Sequence, residues 1–212
     1  MKTILLCCTL LLFAFGCKKN NNSDNGNTIN TYATDIFPNK VGDTWLYLVN
    51  DTTVNLFSHD SSAIQYSMSI SITDSVQLPE GIKANIWVYN FSGSTDTNYV
   101  FQKGDTIRFM DKTNTYIARQ YIIPLKLHNS WQYVQGIYDV TVGSQANIII
   151  GQNHFDDAFN INGYQGLPDA IFYIDEWVVN NVGVVKRYFN PSGELINIRH
   201  VIGWSLLSFH LK

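Results

Sequence analysis

Cysteine is missing from almost all of this 212-residue chain: Cys7, Cys8 and Cys17 account for all three, and nothing after them can form a disulfide. A disulfide framework, a thiolate metal site and a thiol nucleophile are therefore excluded from residues 18 to 212. Charge is also scarce, at 15% of residues where about a quarter is usual. With a net charge of −3 and no basic run after Lys18 and Lys19, the electrostatic footprint of a nucleic-acid binder is absent. The histidines, His59, His128, His154, His200 and His210, stand singly, with no His-x-His or His-x-x-x-His spacing, so neither a metal site nor a cofactor is expected. No Gly-x-Ser-x-Gly occurs, and no glycine loop stands between a strand and a helix. No helical stripe of useful length competes with the strand pattern, and the longest apolar run is too short to span a bilayer.

That run lies in MKTILLCCTLLLFAFGC, where one lysine, an apolar stretch and a small residue precede Cys17. The segment resembles a lipoprotein signal peptide with AFGC as its lipobox, departing from the pattern at Ala14, where leucine is preferred. The resemblance implies cleavage before Cys17, a diacylglycerol thioether on its sulfur, and a membrane as the first partner. Lys18 to Asp35, KKNNNSDNGNTINTYATD, is rich in asparagine and too poor in apolar groups to offset the entropy of ordering itself. As a flexible tether it would hold the rest of the chain on the order of 25 Å from the membrane surface. The expected organisation is a signal peptide at 1–16, lipidated Cys17 and tether at 17–35, and a single β-rich domain at 36–212.

Within that domain the hydrophobic period is two. AIQYSMSISIT sets Ile64, Tyr66, Met68, Ile70 and Ile72 on one face and Gln65, Ser67, Ser69 and Ser71 on the other, the pattern of a half-buried antiparallel strand. Turn chemistry separates such segments: LPEG from Leu78, QKGD from Gln102, DKTN from Asp111, Asn162-Gly163, and NPSG from Asn190, the last expected to pair VGVVKRYF with ELINIRHV in a hairpin. GSTDTNY from Gly93 reads as a polar loop. Roughly a dozen strands at this spacing predict an all-β antiparallel sandwich or partly open barrel.

One phrase occurs twice. FPNKVGDTWLYLV from Phe37 is echoed eighty-six residues later by IPLKLHNSWQYVQ from Ile123. In each copy a proline fixes an extended approach, Gly42-Asp43 or His128-Asn129 makes a turn, and Trp45 or Trp131 begins a strand with Tyr47 or Tyr133 on the same face. Burying those aromatics would stabilise each copy by several kcal/mol. Recurrence of a good strand-opening device and duplication into two related halves both account for the phrase.

Candidate chemistry is thin. Adjacent acids Asp156-Asp157 read as a hairpin turn, and Asp175-Glu176 point to opposite faces of a strand, so neither makes the facing pair a glycosidase needs. Both faces of AIFYIDEWVV look apolar, so one acid must be buried or at a strand end; if buried, Lys186 or Arg187 is its expected partner. Aromatic residues are abundant, with 5 Trp, 12 Tyr and 12 Phe. Trp87, Tyr89 and Phe91 share a strand face, and Trp87, Tyr89 and Trp177 are the candidate contacts for a sugar ring or hydrophobic ligand, with plugging of the core as the competing role.

The lipobox with its asparagine-rich tether, FPNKVGDTWLY near the start and EWVVNNVGVVKRY near the end together resemble cell-envelope lipoproteins of the Bacteroidota with no assigned activity. That family carries a Pro-x-x-x-Gly-x-x-Trp-x-Tyr opening and a later Gly-Val-Gly-x-Val-Lys strand; Asn181 replaces the first glycine here. The resemblance implies an all-β fold and a location in the bacterial envelope, expected at the outer membrane. The expected role is non-catalytic, binding a glycan or hydrophobic ligand or serving structurally. A hydrolase of glycans or other envelope polymers, working through acidic residues, is the alternative.

Overall fold

The computed structural model describes residues 37–113, 116–134, 138–167, 170–190 and 197–212. The signal segment, Cys17 and the tether lie outside the described residues, as do Asn114 of one expected turn and Pro191 to Gly193 of another.

Twelve strands succeed one another: β1 (Thr44–Asn55), β2 (Ser61–Gln77), β3 (Lys83–Phe91), β4 (Ser94–Lys103), β5 (Thr106–Asp111), β6 (Ile117–Ile122), β7 (Ser130–Val134), β8 (Tyr138–Ile150), β9 (Asn153–Leu167), β10 (Ala170–Val179), β11 (Gly183–Phe189) and β12 (Ile198–His210). They form one antiparallel sheet in the order β6-β5-β4-β3-β2-β1-β12-β11-β10-β9-β8-β7. Every strand lies beside its neighbours in sequence except at one place, because β12 returns to β1 while β6 and β7 stand at the two ends. Those ends meet. Trp131 Nε1 on β7 donates to Gln120 O on β6 at 2.7 Å, and Gln120 Nε2 donates back to Gln132 O at 2.8 Å. The sheet is thus curled into a nearly closed barrel whose seam is stitched by side chains, which protects the two edge strands. Of the two shapes open to the sequence, it is the barrel.

Strand alternation turns one face inward. Trp45, Tyr47 and Val49 of β1, Met68, Ile70 and Ile72 of β2, and Trp87 and Tyr89 of β3 all join a single buried cluster that runs around the barrel to Leu206 on β12. Phe37 closes one end, its ring 4.5 Å from that of Tyr121 and 6.0 Å from that of Phe109.

The repeated phrase opens each of two six-stranded meanders, β1 to β6 and β7 to β12. The two turns make the same three backbone hydrogen bonds. Gly42 N–H donates to Ile72 O, Asp43 N–H to Lys40 O and Ile72 N–H to Asp43 O; in the second copy His128 N–H donates to Val142 O, Asn129 N–H to Lys126 O and Val142 N–H to Asn129 O, all six between 2.8 and 3.1 Å. Gly42 and His128 both have positive φ, but at 100° and 68° respectively. The second value lies near the left-handed well that an L-residue can occupy; the first lies outside it. An added Cβ at Gly42 would also meet the Lys212 side chain at 2.5 Å. Gly42→Ala is therefore expected to cost about 1–3 kcal/mol, while His128→Gly leaves stability unchanged or slightly raised; urea denaturation of the two variants checks the asymmetry.

Two expected turns are placed differently, and one expected hairpin has another register. Asn162-Gly163 lies inside β9, where a Cβ on Gly163 would come within 2.5 Å of Asp139 O, so the glycine permits a close approach of β8 and makes no turn. Asp156-Asp157 also lies within β9. Asp157 has a φ of 55° beside a register shift in the β8–β9 ladder, and its N–H is held by Asn147 Oδ1 at 3.2 Å. This is a bulge. Phe189 on β11 pairs with Ile202 on β12, a separation too long for a four-residue turn to close, because the first residues of β12 pair with β1 alone. The GSTDTNY segment is mostly strand: Ser92 and Gly93 form a two-residue turn between Phe91 and Ser94, and β4 begins there.

Candidate functional site

The barrel is not filled along its whole length. At the end where β1 and β7 begin, the interior is closed by packed rings: Trp45 stacked on Trp87 at 5.0 Å, Trp87 edge-to-face with Phe109 at 5.3 Å, and Phe109 edge-to-face with Tyr121 at 5.8 Å. At the opposite end a cavity of about 430 Å³ opens between the tail of β3, the start of β4, the β5–β6 turn and the paired ends of β11 and β12. That volume is within the ordinary range of about 300–1,000 Å³ for small-molecule sites. Tyr66, Tyr89, Phe91, Phe189 and Trp204 line it, with polar and charged side chains along its β4 and β5–β6 edge.

Two arginines, Arg119 from β6 and Arg187 from β11, reach the cavity from across the barrel. A bulge places the first: Phe109 pairs with Arg119 but Met110 with Ile117, so Ala118 is the extra residue and both Ala118 and Arg119 line the cavity. Arg119 is 9% exposed and Arg187 5%. Aromatic faces hold both guanidiniums: Arg119 lies 4.0 Å from the Phe109 ring centroid, and Arg187 lies 4.2 Å from that of Phe189 and 4.7 Å from that of Trp204.

Behind them sits a buried acid. Glu176 on β10 is fully buried, with Tyr121 Oη donating to its Oε1 at 2.6 Å and Tyr133 Oη donating to its Oε2 at 2.9 Å. Burial pushes both phenols well above the usual tyrosine range, so they remain neutral donors. Arg187 Nη2 donates to Tyr133 Oη at 3.1 Å, and Arg119 Nη2 to Tyr89 Oη at 2.8 Å. The expectation that a buried Glu176 pairs with Lys186 or Arg187 is thus corrected in detail. Arg187 is opposite Glu176 in the ladder, but it reaches the carboxylate through the Tyr133 hydroxyl, which accepts from Arg187 and donates to Glu176. Asp175 is exposed on the outer face, where its Oδ1 accepts from Asn160 Nδ2 at 2.5 Å.

The three aromatic residues named from the sequence go to three different places. Tyr89 lines the cavity. Trp87 lies beneath it in the packed end, stacked on Trp45 and donating from Nε1 to Asn39 Oδ1 at 2.8 Å. Trp177, between inward-facing Glu176 and Val178, is on the outer face of β10 and half-buried. Sequence reasoning missed Arg119 and Arg187 as cavity residues. The only signal was charge on the inward parity of strands in a chain with so few charges, and reading it at Arg119 required knowing where the bulge falls.

The histidines and the acid pairs named from the sequence do not line the cavity. Among the described residues no three His, Cys, Asp or Glu side chains gather as a metal site. His200 Nε2 meets Asp51 Oδ1 at 2.5 Å, between β12 and β1, but neither residue lines the cavity.

Two solved structures are similar to this chain. One, from Bacteroides fragilis, is provisionally described as an exported protein with a YmcC-like fold; it is 9% identical, with a TM-score of 0.39, over 83% of this chain and 99% of its own. The other, from Parabacteroides distasonis, is provisionally described as a lipoprotein; it is 14% identical, with a TM-score of 0.36 and the same coverage of 83% and 99%. No family model and no curated protein matches the chain. At such scores neither likeness carries an argument about function.

Proposed function

We propose that this chain is an envelope lipoprotein, anchored at the outer membrane through Cys17, whose β-barrel binds a small ligand without chemically changing it. The observation that carries the reading is the partly aromatic cavity of about 430 Å³ at one end of an otherwise densely packed barrel. A barrel meant only as a scaffold gains stability from filling such a space, since voids forfeit packing contacts. A non-catalytic role accords with the acids: Glu176 is fully buried with both oxygens occupied, and Asp175 faces outward, so the pair cannot act together on one substrate. The lipobox and the asparagine-rich segment after it support the anchor.

Two experiments test the parts separately. Cys17→Ala is expected to move the protein from the membrane to the soluble fraction, and metabolic labelling with an alkyne fatty acid should mark the parent chain but not the variant. An unlabelled parent chain refutes the anchor. For the cavity, the neutral fluorophore N-phenyl-1-naphthylamine should bind at one site with a blue-shifted emission, and Ala118→Trp, which fills the space, should abolish that signal with the fold intact by circular dichroism. Equal binding to both proteins refutes the cavity as the site.

A further inference from the structure

We infer that the cavity is built for a monoanion, a carboxylate carried on an apolar body, with Arg119 and Arg187 as its receptors. The inference rests on the cavity being a binding site and adds the chemical class of what it binds.

Among the buried charged side chains of the site, positive charge outnumbers negative. Arg119 and Arg187 are both buried and always protonated. Both guanidiniums line the same cavity. One carboxylate, Glu176, stands opposite them, and its two oxygens are already bonded by Tyr121 and Tyr133. The buried core of the site therefore carries one more positive charge than negative. An uncompensated buried charge is costly, and protein folds rarely leave one without a partner.

Hydrogen-bond capacity points the same way. A guanidinium has five N–H donors. Arg119 is bonded through Nη2 to Tyr89 and Arg187 through Nη2 to Tyr133. Nε of each is buried with no partner. The buried Nε atoms are out of a ligand's reach, but both side chains line the cavity, where their Nη1 groups remain to meet an entering ligand oxygen.

The walls define the rest of the ligand. Phe91, Phe189, Ile202 and Trp204 present apolar surface beside the arginines, and the space corresponds to about fourteen waters of liquid volume. That holds a bicyclic ring or a medium-length chain. The two guanidiniums suit a single carboxylate held between them, and the rim carboxylates disfavour the second negative charge of a phosphate monoester. Asp96 and Asp111 at the rim also line the cavity and keep their negative charges, and Lys112 offsets one of them. Asp96 Oδ1 accepts from Thr97 N–H at 2.8 Å, and Asp111 shapes the β5–β6 turn by accepting from Thr113 and Tyr116 N–H at 3.0 and 2.9 Å. Lys112 stands in the same turn.

The test is a matched probe series on the full lipidated chain in a non-ionic detergent, by isothermal titration calorimetry: 2-naphthoate, its neutral isostere 2-naphthamide, and 2-naphthyl phosphate. 2-Naphthoate is expected to bind at least tenfold more tightly than the amide and more tightly than the phosphate. Arg119→Met and Arg187→Met should each weaken naphthoate at least tenfold while changing naphthamide less than threefold, and Arg187→Lys should recover part of the loss. Naphthoate and naphthamide binding equally would overturn the anion inference and leave the cavity reading standing. Tighter binding of the phosphate overturns the monoanion assignment. If none of the three probes binds at millimolar concentration, the cavity reading fails as well. The unmodified chain decides among these outcomes even if an arginine variant does not fold.

Discussion

Replacing Glu176 by alanine is expected to destabilise the domain by about 3–5 kcal/mol, the range for breaking a buried charged network on one side only. The side chain is fully buried, and its loss removes the acceptor of two buried phenols at once. It also leaves Arg119 and Arg187 with no buried carboxylate in the group that surrounds them. The two phenol oxygens lie 3.0 Å apart, so one could donate to the other, but the second would then lack an acceptor. For a domain of this size the change corresponds to a fall in melting temperature of roughly 6–20 °C. Tyr133→Phe keeps the ring and removes only the hydroxyl, so it should cost about 1–3 kcal/mol. A double-mutant cycle between the two positions should show strong coupling. A Glu176→Ala protein within about 1 kcal/mol of the parent in urea would mean that the carboxylate does not hold the interior together.

The second large effect concerns the repeated phrase. Trp45→Ala and Trp131→Ala should each cost about 3–5 kcal/mol, as deletion of a large buried aromatic does. The two indoles are 3% and 6% exposed, and each N–H is bonded to a distant backbone carbonyl, Val182 O for Trp45 and Gln120 O for Trp131, both at 2.7 Å. Their consequences should differ in kind. Trp45 stacks on Trp87 within the packed end of the barrel, so its loss opens a cavity among rings. Trp131 stitches β7 to β6, so its loss also unpins the seam. Hydrogen exchange should therefore rise selectively in β6 and β7 for Trp131→Ala and more evenly for Trp45→Ala. Indole fluorescence near that of free tryptophan at either position, with ready iodide quenching, would contradict the burial on which both expectations stand.

Much of the fold is local and for that reason legible in the chain. Alternation along AIQYSMSISIT fixes which side chains of β2 face inward, because successive strand residues must point to opposite faces. The matching residues of the two phrases give matching turns, down to the positive φ shared by Gly42 and His128, because Lys40 to Asp43 and Lys126 to Asn129 close through bonds within a few residues. The absence of cysteine after Cys17 removes whole classes of chemistry by composition alone.

What the chain could not disclose is everything that depends on register between distant segments. Whether a dozen strands make a sandwich or a barrel is decided by β12 returning to β1 and by Gln120 meeting Trp131, partners that propensity does not select. The extra residue at Ala118 shifts the pairing of β5 with β6 and sets how Arg119 lies in the interior; without the ladder its position in the strand has no meaning. The site is assembled from β3, β6, β11 and β12, and its central fact, two arginines against one occupied carboxylate, exists only once those strands enclose a common space. Local sequence determines the faces of strands and the shapes of turns, whereas the pairing of residues such as Glu176 and Tyr121 follows from barrel closure, which is a property of the whole chain.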